Sequence, residues 1–558
     1  MLKLIECVPN FSEGRDKNII DAITNEISET DDVKLLDVDP GADTNRTVVT
    51  FIGSPGGVKE AAFKAIKKAA ELIDMSQHQG AHPRMGATDV CPFVPVSGVT
   101  MEDCVKIAEQ VGERVANELG IPIYLYEEAA TCPERNSLAD IRKGEYEGLS
   151  EKVKDPRWKP DFGEAKFNAR SGATVIGARE FLIAYNVNLN TSDRKLAHDI
   201  ALTIREAGRA KRDSEGKIVR DENGVMVKVP GRLKATRAVG WYIDEYKQAQ
   251  VSINLINYKI MPPHLTFDVI CEEAEKRGLR VTGSELVGLI PLQAMLDAGR
   301  HYLLKQRKSP GVPEEDLIEA AAVSMGLRDL TEFDSQKKII EYQVRDTKGP
   351  LVKMDLRDFA NELSSDSPAP GGGSVAALAG ALGSALNSMV ANLTVGKKEY
   401  QSSWEEMKEV AVKSQDLKDE LLRTVDRDTE AFNDLMAAFG MKKKTDEQKA
   451  ARDEAIERAT KNACLVPLDV MKNSIKVLEL AKIVAERGNE NAVSDAGVAS
   501  LMARSAVEGA GINVKINLPG IKDADFIKKE KSEVETLIAE AKELQQAIFE
   551  IVNNKIEL

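Results

Sequence analysis

The chain is short of the residues that staple or metallate small folds. Its cysteines, Cys7, Cys91, Cys104, Cys132, Cys271 and Cys464, are scattered with no C-x-x-C pair. That excludes a disulfide frame or a zinc ribbon and fits reduced thiols in a cytoplasmic setting. Positive charge is in deficit, with a net charge of −14 and a pI near 5.2, so nucleic acid is not expected as the main partner. The opening M-L-K-L-I-E-C-V-P-N has neither a basic lead nor a long apolar run, and no signal peptide is expected. Histidine is scarce too, at five in 558 residues.

Two of those five lie in one short stretch, Q-H-Q-G-A-H-P-R-M-G-A-T-D-V (77–90). Gly80, Pro83 and Gly86 forbid a regular helix there, so it is a shaped loop before an apolar strand, Val90–Val96. His78, His82, Arg84, Thr88 and Asp89 gather groups that handle protons and anions. Histidine titrates near neutrality and can take and return a proton within one cycle. A loop histidine can also do no more than bond its neighbours. A zinc pair at His78 and His82 would need a helix that Gly80 and Pro83 deny, so no metal is expected.

At about 150 residues per domain, 558 residues suggest three or four units. Residues 1–180 alternate strand-like and helix-like segments in a β-α-β-β-α-β order, a split, ferredoxin-like plan. Asp37, Asp39, Asp43, Asn45 and Arg46 surround Pro40-Gly41 between two strands, where turn chemistry is the expected role. Glu127–Trp158 is polar and irregular. Lys159–Arg179 is a basic loop in which Lys166, Asn168 and Arg170 offer donors to an anion. Residues 181–327 repeat the element order from a strand at Glu180–Leu189, so two α/β halves are expected to face each other across a cleft. Within Lys211–Pro230 a hairpin is predicted, turning at Asn223-Gly224. Residues 328–350 form a linker.

From Met354 the strand signal almost vanishes, and residues 351–558 predict an all-α bundle. Ser364–Ser374 ends in G-G-G-S before Val375–Thr394, a stretch without a single charge. Glycines ahead of a helix expose backbone N–H groups to an anion or to a polar ring edge. The uncharged stretch is long enough to cross a membrane, but its asparagines and serines favour a central bundle helix and no membrane span. Further on, Val425, Phe432, Leu435 and Phe439 form an apolar stripe. Asp428 falls on it, and Asp426 falls off it beside Arg423 and Arg427. A carboxylate on a buried face is costly unless it is paired or functional, so Asp428 is either a satisfied structural acid or a proton donor.

Four strings carry a resemblance that spans the chain. I-E-C-V-P-N-F-S-E-G-R with H-Q-G-A-H-P-R-M-G-A-T-D-V resembles the glutamate formiminotransferases, and P-A-P-G-G-G-S-V-A-A-L with G-N-E-N-A-V-S-D-A-G-V-A resembles the formimidoyltetrahydrofolate cyclodeaminases. The resemblance implies a two-site enzyme with His82 as transferase acid/base and Asp428, with Asp426 in reserve, as cyclodeaminase proton donor. It assigns folate or substrate contact to Gly163, Glu164, Ala165, Lys166, Phe167, Asn168, Ala169, Arg170, Ser171 and Gly172. Glu285, Gly371, Gly372, Gly373 and Ser374 join them. It implies N-formimino-L-glutamate and polyglutamylated tetrahydrofolate as substrates, no metal or nucleotide, and a homo-oligomeric ring of dimers. Other classes stay open: a monofunctional transferase whose bundle only oligomerises or hydrolyses methenyl-folate, and a non-catalytic folate-holding scaffold.

Overall fold

The computed structural model describes residues 3–42, 44–80, 82–330, 332–344 and 349–556. Asp43 and linker residues 345–348 lie outside the described residues. The chain divides into two compact units, Met1–Met295 with Ala322–Arg345, and Leu296–Ala321 with Asp346–Leu558.

In the first unit, Pro9 splits one edge-to-edge run into β1 (Leu4–Cys7) and β2 (Asn10–Phe11), both pairing with β4 (Arg46–Gly53) and β5 (Thr88–Ser97). Outside β4 lies β3 (Val33–Gly41). Beyond β5 the sheet continues with parallel β7 (Thr174–Ala178) and then β6 (Ile123–Glu127). The predicted turn at Pro40-Gly41 is instead the end of β3, with Pro40 opposite Thr47 and Gly41 opposite Arg46, so Asp37 and Asp39 stand on a strand. Helices Lys17–Ser28, Pro55–Leu72 and Met101–Leu119 cover one face through Ile23, Ile27, Ala62, Ile66, Val111 and Val115. Each begins at a side chain that accepts an unspent backbone N–H: Asp16, Ser54 and Thr100, the last in a reciprocal box with Asp103. The irregular 128–158 segment closes over Tyr124, Tyr126 and Val175 with Ile141, Leu149 and Val153.

A second, wholly antiparallel sheet in this unit has the order β11 (Thr236–Ile243), β12 (Gln248–Leu255), β8 (Ile183–Leu189), β13 (Val281–Val287). Gly240 lets the Arg194–Ile204 helix lie against this sheet, since a Cβ there would be 2.0 Å from the His198 amide nitrogen. The 211–230 insertion holds the predicted hairpin, turning at Asn223-Gly224 with Arg220 opposite Met226, and adds a turn before it. Between β9 (Arg209–Ala210) and β10 (Lys228–Val229) two turns follow in succession, closed by Asp213 and Asp221, whose side chains each accept two backbone N–H groups.

The second unit is helical. Its core helix, Gly372–Thr394, is apolar and long enough to cross a membrane, yet two thirds of its apolar window is buried, packed by Gly380 and Gly383 against Ser474 and Ala499. Around it run Trp404–Gly440, Asp446–Arg487, Val493–Asn517 and Ala524–Ile556. The Gly311 carbonyl anchors the 296–321 segment to this bundle, accepting from Asn392 Nδ2 at 2.8 Å and Ser388 Oγ at 3.2 Å.

Candidate active sites

The His82 loop is pressed into shape from two sides. At Gly80 a Cβ would sit 2.3 Å from the Thr44 carbonyl oxygen, and at Gly86 it would sit 2.4 Å from those of Ser171 and Ala173. Asn45 holds the first side from a left-handed backbone (φ +47°), accepting from the Gly14 amide at 3.0 Å and donating to the Gln79 carbonyl at 3.0 Å. His78 is fixed between neighbours: Arg84 Nε donates to its Nδ1 at 3.1 Å, so its Nε2 donates to the Asn45 carbonyl at 2.9 Å. His78 therefore positions the loop.

His82 is half-buried, and its Nε2 lies 2.8 Å from Arg46 Nη1. A guanidinium only donates, so Nε2 accepts and the ring proton sits on Nδ1, which is buried without a partner. Burial first, then the charges of Arg46, Arg142 and Arg84, push the imidazolium down to about 4. His82 is thus neutral at physiological pH. Arg84 is bonded to Glu147 at 2.6 Å and Glu145 at 3.1 Å, and Arg142 pairs with buried Asp89, which also accepts from the Met85 amide. Arg46 has no carboxylate partner among the described residues, and its Nε is buried without an acceptor.

The 163–172 segment divides in two. Gly163, Glu164, Lys166, Phe167, Asn168 and Ala169 line an open cavity of about 790 Å³ with Ala116, Asn117 and Gly120 at the end of the Met101–Leu119 helix. Phe167 packs on Tyr146 with ring centroids 5.5 Å apart. Arg170, expected to meet an anion, is committed elsewhere: it donates to the Glu71 and Ala70 carbonyls at 2.6 and 3.4 Å, where the Pro55–Leu72 helix leaves its last acceptors open. Asn168 donates to the Gly120 carbonyl and accepts from the Ser171 amide, leaving Lys166 as the exposed donor. Ser171 and Gly172 brace the His82 loop, Gly172 at φ +67° where a Cβ would lie 2.2 Å from the Met85 carbonyl. On the second sheet Glu285 accepts from Gln250 at 2.9 Å, Asn186 at 3.1 Å and Tyr246 at 3.2 Å.

In the bundle, Gly371 is the extended residue ahead of the Gly372–Thr394 helix. Gly373 leaves room for Asp428: a Cβ there would be 2.1 Å from Oδ1. Fully buried Ser374 places its Oγ 2.9 Å from the Val425 carbonyl, 3.3 Å from Asp428 Oδ2 and 3.4 Å from Thr429 Oγ1. Burial raises the Asp428 carboxyl above the usual range, opposed by hydrogen bonds from the Ser374 hydroxyl and amide. Asp426 departs from the expectation that it stands off the stripe beside Arg423 and Arg427. It is 7% exposed and accepts from the Leu351 and Val352 amides at 3.0 and 3.4 Å, because residues 349–352 cover that flank of the helix. Phe439, taken into the stripe, surfaces at 47% exposure.

The comparisons with known proteins cover both units. Residues 4–179 match the model of the formiminotransferase domain, N-terminal subdomain, residues 184–345 the formiminotransferase domain, and residues 355–536 formiminotransferase-cyclodeaminase. Over 560 residues the chain is 44% identical to formimidoyltransferase-cyclodeaminase of Dictyostelium discoideum, covering all of both chains. The chain belongs to the formimidoyltransferase-cyclodeaminase family. It is a bifunctional enzyme, a transferase joined to a cyclodeaminase. Its C-terminal part is also 44% identical over 201 residues to methenyltetrahydrofolate cyclohydrolase of Methylorubrum extorquens, covering 36% of this chain and 97% of that one. Among solved structures, formiminotetrahydrofolate cyclodeaminase of Thermotoga maritima aligns at a TM-score of 0.33 and 29% identity, over 36% of this chain and 97% of that one.

Some groups of this family member escaped the sequence. Asn513, on the Val493–Asn517 helix, reaches within 3.5 Å of where a Gly372 Cβ would stand. Asn188 is fully buried on the second sheet with both carboxamide atoms unpartnered.

Proposed function

We propose that the chain catalyses two successive steps of histidine degradation on one folate, each in its own unit. In the first, N5 of tetrahydrofolate attacks the formimino carbon of N-formimino-L-glutamate, and the bond from that carbon to the glutamate nitrogen breaks. His82 takes the proton from N5 and returns it to the departing nitrogen, while Gly163–Ala169 holds the folate. In the second, N10 closes on the same carbon, Asp428 protonates the nitrogen that leaves as ammonia, and 5,10-methenyltetrahydrofolate forms. Gly371, Gly372 and Gly373 offer unspent N–H groups to the pterin edge. Residues 1–180 and 181–327, apart from the 296–321 segment that packs with the bundle, serve the first step as two split, ferredoxin-like layers walling a cleft, with Glu285 on its far wall. Residues 351–558 serve the second. The chemistry asks for neither metal nor nucleotide. A cytoplasmic homo-oligomer, a ring of dimers, is proposed with it, supported by free cysteines and by the exposed stripe Val375, Leu382, Met389 and Leu393.

The observation that carries the reading is that each unit presents one half-buried group biased toward its uncharged form: His82 among arginines, and Asp428 against Gly373 and Ser374. The test follows methenyl-folate absorbance and ammonia from formiminoglutamate and tetrahydrofolate. His82→Ala abolishes both products, and Asp428→Asn stalls with formimino-folate. Full-rate ammonia release by Asp428→Asn removes Asp428 from the mechanism. The likeness to the cyclohydrolase favours one second reading, a bundle that only hydrolyses methenyl-folate. Wild-type protein that consumes supplied methenyl-folate but releases no ammonia selects it.

A further inference from the structure

We propose that Arg46 is both the anchor for a carboxylate of the amino-acid substrate and the gate on His82, with Nε2 released for proton transfer only when that carboxylate takes the guanidinium away. The proposal rests on the reading of His82 as the transferase acid/base.

Three guanidinium groups surround His82. Arg84 is satisfied by Glu145 and Glu147, and Arg142 by Asp89. Arg46 alone among these three has no carboxylate partner among the described residues: it donates to the His82 ring nitrogen at 2.8 Å, with Nε buried and unpartnered. The carboxylates nearest to it in effect are Asp89, already committed, and Asp39, which makes no ion pair among the described residues. A half-buried cation without an anion is costly, and a carboxylate accepting from both Nε and Nη would repay it in the bidentate geometry that guanidinium favours.

The same contact blocks chemistry. With Nε2 accepting from Arg46, the ring's one basic site is occupied, and the Nδ1–H on its other side is buried. A neutral imidazole does not give up that proton at physiological pH. Substrate binding resolves this: a dicarboxylic acid draws Arg46 off, the Nε2 lone pair is freed, and the new carboxylate offsets the cations facing His82, which are Arg46, Arg142 and Arg84. The proton from folate N5 then passes to Nε2, and on to the glutamate nitrogen as its bond to carbon breaks. No net proton, electron or co-reactant is needed. Without amino-acid substrate the histidine stays closed.

The experiment compares wild type, Arg46→Met and Arg46→Lys on formiminoglutamate and on 4-formimidoylaminobutyrate, which lacks one carboxylate. A lost charge-assisted contact predicts a KM for formiminoglutamate raised about 10- to 100-fold in Arg46→Met, with partial recovery in Arg46→Lys. The preference for the dicarboxylate should shrink by the same factor. The acidic limb of kcat/KM, which reports the free base, should rise in Arg46→Met. In wild-type full-length chain carrying 13C-histidine, L-glutamate should raise the pH at which the His82 signal titrates, whereas chloride should not. An unchanged preference together with an unmoved titration overturns the proposal, whatever the folding of the variants. If His82→Ala keeps full transferase activity, the reading of the site fails instead.

Discussion

Replacing Gly373 by alanine should stop the second reaction while leaving the fold and the first reaction in place. The new Cβ would stand 2.1 Å from Asp428 Oδ1 and 2.5 Å from its Cγ and Oδ2. Carbon–oxygen contact distances are above 3 Å, so one partner must give way by about 1 Å. The Gly372–Thr394 backbone is locked in the bundle core, whereas the carboxyl is the end of a side chain, so the carboxyl moves. It then loses the 3.3 Å contact to Ser374 Oγ. A displacement of that size at the proposed proton donor costs about 100-fold in rate. The cost in stability is small, because the clash is relieved by rotation of one side chain. The assay supplies 5-formimino-tetrahydrofolate and measures ammonia, with transfer from formiminoglutamate and thermal melting as companions. Ammonia release within threefold of wild type would refute the placement of Asp428 against this glycine as the catalytic arrangement. A collapsed melt with both activities lost would refute the claim that only the carboxyl yields.

Three further outcomes are expected. Asp426→Ala orphans the Leu351 and Val352 amides, so it should lower stability by about 1–3 kcal/mol in a denaturant melt while the folded fraction keeps its ammonia release. Glu6 is buried on β1, and burial raises its carboxyl to about 7 from 4.5, opposed by Arg179. Its folded value exceeds its unfolded one, so the associated stability is complete below pH 4.5 and lost as pH rises through 7. Glu6→Gln should therefore melt higher than wild type at pH 8 and like it at pH 4, and an equal offset at both would refute the assignment. Asn45→Ala removes the ties to Gly14 and Gln79 and puts a Cβ-only residue at φ +47°, so transferase kcat should fall about 10-fold or more with ammonia release from supplied formimino-folate unchanged.

What the sequence revealed and what it hid follow one physical rule. Helical phase set Asp428 on the stripe through Val425 and Leu435, and its carboxyl does face the glycine-rich start of the core helix. The same argument mislaid Asp426: phase tells which face of a helix a residue occupies, not what distant segment lies over that face. Residues 349–352, some 75 positions earlier, cover it. Arg170 was misjudged for a like reason. Its attraction to an anion was legible from charge alone, but the open carbonyls of the Pro55–Leu72 helix lie about a hundred residues away and take it first. Arg46 looked like part of a turn because Pro40-Gly41 precedes it. Only strand pairing, which carries β3 through that dipeptide, sets its guanidinium on His82.

The two proposed acid–base groups are biased toward their uncharged forms by different means, and the difference suits the order of the proposed steps. His82 is kept neutral by burial and by cations, so a base is ready when an amine must lose a proton, and an incoming anion weakens the restraint as the proton arrives. The Asp428 carboxyl is raised by burial alone: its surroundings contribute only the Ser374 donors, no charged side chain, and the helix that meets it carries no charge. An acid restrained this way has nothing to attract its proton back once the leaving nitrogen has taken it, apart from the Ser374 hydroxyl, which can turn from the Val425 carbonyl toward the new carboxylate. Exchanging the two environments would fail on each side. A carboxyl among arginines would be ionised and could not expel ammonia, and a histidine in the uncharged pocket would gain no substrate-dependent release. The two chemistries therefore need two scaffolds, an α/β unit whose loops can collect arginines and a bundle whose glycine-rich helix start can exclude charge.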